Sequence, residues 1–423
     1  MTNTPYLSVV ATARNDNHGG NMLRRMQIFV NGLIEQSRRH QLDTELIIVE
    51  WNPLVDQPTL AEALSWQTQD SPCTVRIIQV PPELHQQLKY SQSLPLFQMI
   101  AKNVGIRRAQ GEFVLATNID LLFSDALFEF ISARQLQPGK SYRIDRTDVR
   151  STVPLETSLE EQLAYCDRNI LRINHKDGIE ELDTEAPEPL KPVSEAVGLE
   201  TASVLDQPKP RWYEQIPEST LPQLTRLRQF YKRLLPKAFK DVILRTLPKG
   251  LTEWLIEKGL LNAQPVPVSP QLEILEKFEQ LEESEPESPP WQYPRLHTNA
   301  CGDFTLMSRA DWFTIRGYPE WEIFSFHLDS ILLYIAHYAG IEEKILDNPM
   351  RVYHVEHTSG WTPQVERTQT LNKRLNSLGI PQLTIEQFDA LARLMQQLDK
   401  PLIFNDENWG MATKTLPETV VPS

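Results

Sequence analysis

Asn118 and Asp120 stand one residue apart, just after the apolar run FVLA at residues 113–116. Such a run fits a strand buried on both faces of a parallel sheet. Alternation along an extended chain turns both side chains to one side, where their oxygens suit a hard divalent cation that still carries a phosphorylated ligand. The plainer reading is an Asx-capped turn. A second group of donors is His354, Glu356 and His357. In an extended chain His354 and Glu356 share a face, so the two histidines are not expected to ligate together, and His357 is the favoured one. Asp329 precedes an amphipathic run at residues 331–339, where a carboxylate commonly caps free amides.

These residues need a scaffold, and the first 150 residues supply its pattern. Residues 7–11 (LSVVA), 45–49 (ELIIV), 74–80 (TVRIIQV) and the run after Gly111 read as strands. Helical spacing at residues 22–39 (Met22, Met26, Phe29, Val30, Leu33, Ile34), 60–66 and 96–109 separates them. Alternation of this kind predicts an α/β fold, a mostly parallel central sheet with crossover helices. Ligands in such sheets bind beyond the carboxyl ends of the strands. There the polar residues gather: Thr12, Arg14 and Asp16 after the first strand, Glu50 after the second, Asn118 and Asp120 after the fourth. A lone acid at a strand end is usually a helix cap, but three such ends in one half-domain point to a site. No Gly-x-Gly-x-x-Gly follows the first strand and no Gly-x-x-x-x-Gly-Lys-Ser/Thr occurs, which argues against a dinucleotide oxidoreductase or a P-loop enzyme.

The order SVVATARND, ELIIVEWNP and KNVGIRRAQGEFVLATNID (residues 102–120) resembles GT-A fold, family-2-like glycosyltransferases, over roughly residues 5–150 and 295–360. The resemblance implies a GT-A, Rossmann-like sheet. It also implies transfer of a sugar from a nucleotide-diphospho-sugar to a hydroxyl of a glycan or lipid acceptor. By it, Arg14 and Glu50 lie at the base and ribose, Lys102 and Asn103 near the donor, and Asp120 binds a divalent cation, Mn2+ or Mg2+. His357 completes the metal shell, Asp303, Glu320 and His327 line the acceptor side, and Asp329 is the general base. A carboxylate beside a desolvated pocket can hold a raised pKa suited to accepting a proton. Asn118 departs from the family pattern, in which an aspartate is usual. Two rival classes share the sheet: a nucleotide-sugar pyrophosphorylase, whose basic glycine-rich loop after the first strand is missing, and a binding protein without turnover.

The expected organisation is a nucleotide-sugar half at 1–150, an insertion at 151–290, an acceptor half at 291–360 and a C-terminal helix and tail at 361–423. Residues 142–149 (YRIDRTDV) read as one core strand, with Arg146 or Asp148 as candidates to face the site. Within the insertion an acidic, proline-bearing stretch at 177–214 precedes basic amphipathic text at 224–258, which suits an anionic membrane surface or packing on the fold. The chain carries 42 Lys plus Arg against 56 Asp plus Glu, a net charge of −14 that argues against a nucleic-acid partner. Three scattered cysteines imply no disulfide framework. With no basic leader before an apolar core and no apolar run long enough to span a bilayer, a cytoplasmic protein, at most peripheral on a membrane, is expected. A capping box at residues 384–387 predicts a final helix, Trp409 is expected against the fold, and the tail from Thr413 is expected to be loose.

Overall fold

The computed structural model describes residues 4–182, 293–357 and 364–422. Its strands are β1 (Leu7–Ala13), β2 (Thr44–Trp51), β3 (Cys73–Val80), β4 (Phe113–Thr117), β5 (Leu121–Phe123), β6 (Lys140–Ile144), β7 (Arg146–Val149), β8 (Ile170–His175), β9 (Gly178–Glu181), β10 (Phe304–Ser308), β11 (Glu342–Leu346), β12 (Val352–Val355) and β13 (Glu418–Val420). The helices are α1 (Met22–Arg39), α2 (Leu60–Ala63), α3 (Pro82–His85), α4 (Gln98–Arg108), α5 (Asp125–Ser132), α6 (Leu159–Arg168), α7 (Arg309–Ile315), α8 (Leu328–Tyr338), α9 (Gln364–Leu378) and α10 (Ile385–Leu398).

Two sheets carry these strands. The eight-stranded sheet runs β11-β6-β10-β4-β1-β2-β3-β13, and only β10 and β13 oppose the direction of the rest. This is the mostly parallel central sheet expected from the alternation of strands and helices. The second sheet is β5-β12-β7-β8-β9. The chain crosses between the sheets three times over short connections: β4 to β5, β6 to β7, and β11 to β12. Residues 142–149 are therefore not one strand. Asp145 parts them, and its carboxylate takes His297 Nε2 at 2.8 Å and His175 Nδ1 at 2.5 Å, which holds the crossing in place.

β1, β2 and β4 are buried along their whole length, as their unbroken apolar runs require. α1 serves both sheets. Phe29, Leu33 and Ile34 join the main core, whereas Ile28 packs with Leu122, Tyr353 and Val355 of the second sheet. Each such buried side chain stabilises the fold by about 1.5–3 kcal/mol. Gly105 lets α4 press onto the sheet, since a Cβ there would meet Val10 Cγ1 at 2.4 Å.

The tail departs from expectation. β13 adds an antiparallel edge strand to β3, and Arg76 Nε bonds Glu418 Oε1 at 2.6 Å. Pairing and an ion pair order residues whose composition looks loose. Trp409 is buried against Phe313 and the guanidinium of Arg107. The capping box at Thr384 and Gln387 starts α10. The expected insertion begins later than residue 151, because α6, β8 and β9 extend the second sheet to residue 181. Its acidic stretch, apart from the first few residues, and its basic 224–258 segment lie outside the described residues. No described helix is long and apolar enough to cross a membrane. All three cysteines are free and buried.

Candidate metal centre

Strand register assembles the centre. Antiparallel pairing sets His354 of β12 opposite Leu121 of β5, and the next backbone bond runs from Val355 N to Asp120 O at 3.1 Å. The end of β12 thus lies beside Asp120. Extension stops at Val355, so strict alternation no longer separates the histidines. His354 Nε2 lies 3.7 Å and His357 Nε2 3.5 Å from Asp120 Oδ2. One donor atom from each of the three residues falls within 4.8 Å of the others. The expectation that only one histidine approaches Asp120 is corrected by this turn of the chain.

One carboxylate oxygen and two imidazole nitrogens fit a divalent transition metal. Bonds of ~2.1 Å put neighbouring ligand atoms roughly 3.0–3.4 Å apart, so a small contraction would close the shell. Two imidazoles move the preference away from Mg2+, which seeks oxygen, toward first-row transition ions, with Mn2+ the weakest-held of them. Burial pushes the Asp120 carboxyl up, but His354, His357 and Arg25 together pull it down to about 2. Burial pulls His354 down, yet Asp120 and Asp148 raise it to about 10. His357 is lowered by burial, with Asp120 opposing.

The loop between β1 and α1 covers this group. Arg25 Nε stands 3.9 Å from Asp120 Oδ2, while its other nitrogens hold the carbonyls of Gly20 and, at 2.8 Å, His18. Gly19 has φ +70°, and a Cβ there would come within 2.5 Å of His357 Nδ1. Buried Arg25 Nε and His357 Nδ1 make no hydrogen bond among the described residues. Arg25 Nε, unpartnered beside the carboxylate, and the unpartnered far nitrogen of the His357 ring suit a site that receives something.

The Asn118–Asp120 pair splits. β10 pairs antiparallel with β4, Phe304 against Thr117, which brings Asp303 opposite Asn118. Asn118 Nδ2 donates to Asp303 Oδ1, and Gln98 Nε2 donates to Asn118 Oδ1 at 2.8 Å. Arg146 takes the other Asp303 oxygen at 2.7 Å. An aspartate at 118 would set two carboxylates face to face, which accounts for the amide. Asp303 is bound by these partners rather than held out to a sugar. Asp120 alone of the pair joins the metal group.

On the opposite side of the strand ends the polar residues have different fates. Arg14 Nε donates to Asn52 O at 2.9 Å and NH1 reaches Asp16 Oδ2 at 3.3 Å, so these two stay at the rim beside buried Thr12. Glu50 is fully buried, accepting Leu60 N and Gln79 Nε2, both at 2.9 Å. Burial pushes its carboxyl up. Asn103 Nδ2 donates to Tyr318 O at 2.8 Å and Glu320 Oε1 at 3.0 Å, and Asn103 Oδ1 accepts Tyr318 N at 2.8 Å. Glu320 also accepts Gly410 N at 2.7 Å. Glu50, Asn103 and Glu320 are taken up by the fold rather than offered to a ligand. Lys102 is fully buried, donates to Gly302 O at 2.5 Å, and is lowered by burial to about 8.

Asp329 sits in the first turn of α8, half-buried, its Oδ1 accepting Ser330 N at 2.9 Å. Its Oδ2 faces Gly302, where a Cβ would stand 2.8 Å away. His327 has φ 63° and stacks on Phe388 with ring centroids 5.6 Å apart, so its ring packs on α10. Beside this group lies Arg25, which the sequence reading does not single out, and His354 approaches Asp120 as His357 does. An arginine inside the apolar stripe of α1 was the available signal for Arg25.

No family model matches this sequence and no curated protein matches it. A solved structure described as the crystal structure of GalNAc-T7 with UDP, GalNAc and Mn2+ is similar to 96% of this chain at 12% identity and a TM-score of 0.36. The chain covers 53% of that one, about half its length. Overlap at that level carries nothing about activity.

Proposed function

We propose that the protein is a metal-assisted glycosyltransferase that moves a sugar from a nucleotide-diphospho-sugar to a hydroxyl of a glycan or lipid. One observation carries the reading: Asp120, His354 and His357 converge at the carboxyl end of β4, where an open α/β sheet binds ligand. When bound there, a divalent cation would neutralise the leaving diphosphate. Arg25 adds positive charge on the same side, and Arg14 and Asp16 at the β1 rim are within the region a nucleotide would occupy. Asp329 accepts the proton of the attacking hydroxyl, which implies inversion at the anomeric carbon.

Titration with UDP-, GDP- and dTDP-sugars in the presence of Mn2+, on wild type and Asp120→Ala, tests the reading by calorimetry. Binding that needs the metal and vanishes in Asp120→Ala is the expected result. No binding of any nucleotide sugar by the folded wild type would end it. A second reading, a carbohydrate-binding or scaffold protein without turnover, is favoured by Glu50 and Asn103, both expected at the donor, being engaged by the fold. Asp329→Asn separates the two, since an active enzyme keeps donor binding and loses transfer.

A further inference from the structure

We infer that Asp148 is the positioning residue of the metal centre, fixing which nitrogen of His354 faces the cation. The inference rests on the metal reading above and extends it to a residue that touches neither donor nor acceptor. Three strands meet at this point. In the second sheet β12 is parallel to β7 with His354 beside Asp148, and β8 is antiparallel to β7 with Arg172 beside Asp148. Cross-strand neighbours share a face, so the carboxylate lies between an imidazole and a guanidinium.

Asp148 has no exposed surface. Its Oδ1 lies 2.9 Å from His354 Nδ1 and 2.8 Å from Arg146 Nε. Its Oδ2 accepts from Arg172 Nε, from Asn174 Nδ2 at 3.1 Å and from Arg146 NH2 at 3.2 Å. Ion pairs with the Arg146 and Arg172 guanidiniums keep the Asp148 carboxyl ionised, so its Oδ1 has no proton to give and can only accept from His354. His354 Nδ1 must then be the donor, and its Nε2 is left to face Asp120 and a cation. Imidazole ligands are commonly oriented by such a carboxylate on the far nitrogen.

The two arginines tie this carboxylate to the rest of the site. Arg172 continues to Glu356 Oε2 at 2.6 Å, next to His357. Arg146 continues to Asp303, which holds Asn118. A contact chain thus runs from Asp120 through His354, Asp148, Arg146 and Asp303 to Asn118, joining the two members of the split pair.

The test uses the full chain and two readouts. In wild type loaded with Zn2+, a diamagnetic probe, long-range proton–nitrogen NMR should show His354 protonated at Nδ1 and bound to metal through Nε2. Metal on Nδ1 overturns the assignment. In Asp148→Asn, Mn2+ affinity by calorimetry should fall roughly 10–100-fold. An unchanged affinity in a folded variant also overturns it. If that variant does not fold, the wild-type spectrum decides alone. Wild type that binds neither Zn2+ nor Mn2+ removes the metal reading itself, a result distinct from either failure of Asp148.

Discussion

Asp120 and Glu50 are both acids that follow a buried strand, yet they end in opposite conditions. Around Asp120 the neighbours are two histidines at 3.5 and 3.7 Å and an arginine at 3.9 Å, all farther than an ordinary hydrogen bond of about 2.9 Å. Around Glu50 a helix amide and a glutamine sit at 2.9 Å and occupy both oxygens. Residue type at a strand end therefore says little by itself. What decides is whether the following segment turns back at once to supply donors, as α2 does for Glu50, or leaves the acid to side chains from a distant strand.

Removing the metal side should give the largest effect. Asp120→Ala, His354→Ala and His357→Ala should each lower Mn2+ affinity by more than the roughly 10–100-fold that losing an outer-shell partner costs, Asp120→Ala the most, measured by calorimetry. If either histidine can be lost without change, the three-ligand group is wrong.

Proton linkage should follow in size. Without metal, His354 is raised from 6.5 to about 10, so its contribution to stability is complete below pH 6.5 and fades as pH rises toward 10. Asp120, lowered from 3.8 to about 2, contributes above pH 3.8 and loses that as pH falls toward 2. Urea melts in a chelator at pH 6 and pH 9 should show the loss at the higher pH, and His354→Ala should flatten it.

On the side taken up by the fold, Asn103→Ala should destabilise by about 2–3 kcal/mol, because buried amides and a carboxylate lose their partners. Mn2+ affinity should stay within twofold of wild type. A variant of full stability that has lost nucleotide binding would reverse the contrast between the two sides.

The smallest effect should come from placing an acid at residue 118. Asn118→Asp faces Asp303 and should cost about 1 kcal/mol in chemical melts, with no gain in Mn2+ affinity. Asp303→Asn added to it should recover most of that loss.

Much of the fold could be read in the sequence because its signals are local. The apolar runs of β1, β2 and β4 and the helical spacing of α1 and α4 survive into the structure nearly residue for residue. The second sheet could not be read in that way. Its strands β5, β7 and β12 are three or four residues long and come from separated parts of the chain. Asp120 was legible because it ends a clear strand. Alternation separates His354 from His357 only as far as β12 runs, and it stops at Val355. Nothing local reveals that Asp303 has an antiparallel partner almost two hundred positions away.

The crossing from β4 to β5 has a further consequence. Thr117 ends one sheet and Leu121 begins the other, so residues 118–120 are the whole bridge between them. Leu121 is in the main core and Leu122 packs with the second-sheet cluster. Lengthening or shortening this bridge by one residue would exchange those two faces. Side chains at 118 and 120 can be exchanged without moving either sheet, but the spacing between them cannot change. An insertion or deletion there should disrupt folding more than any single substitution in the bridge.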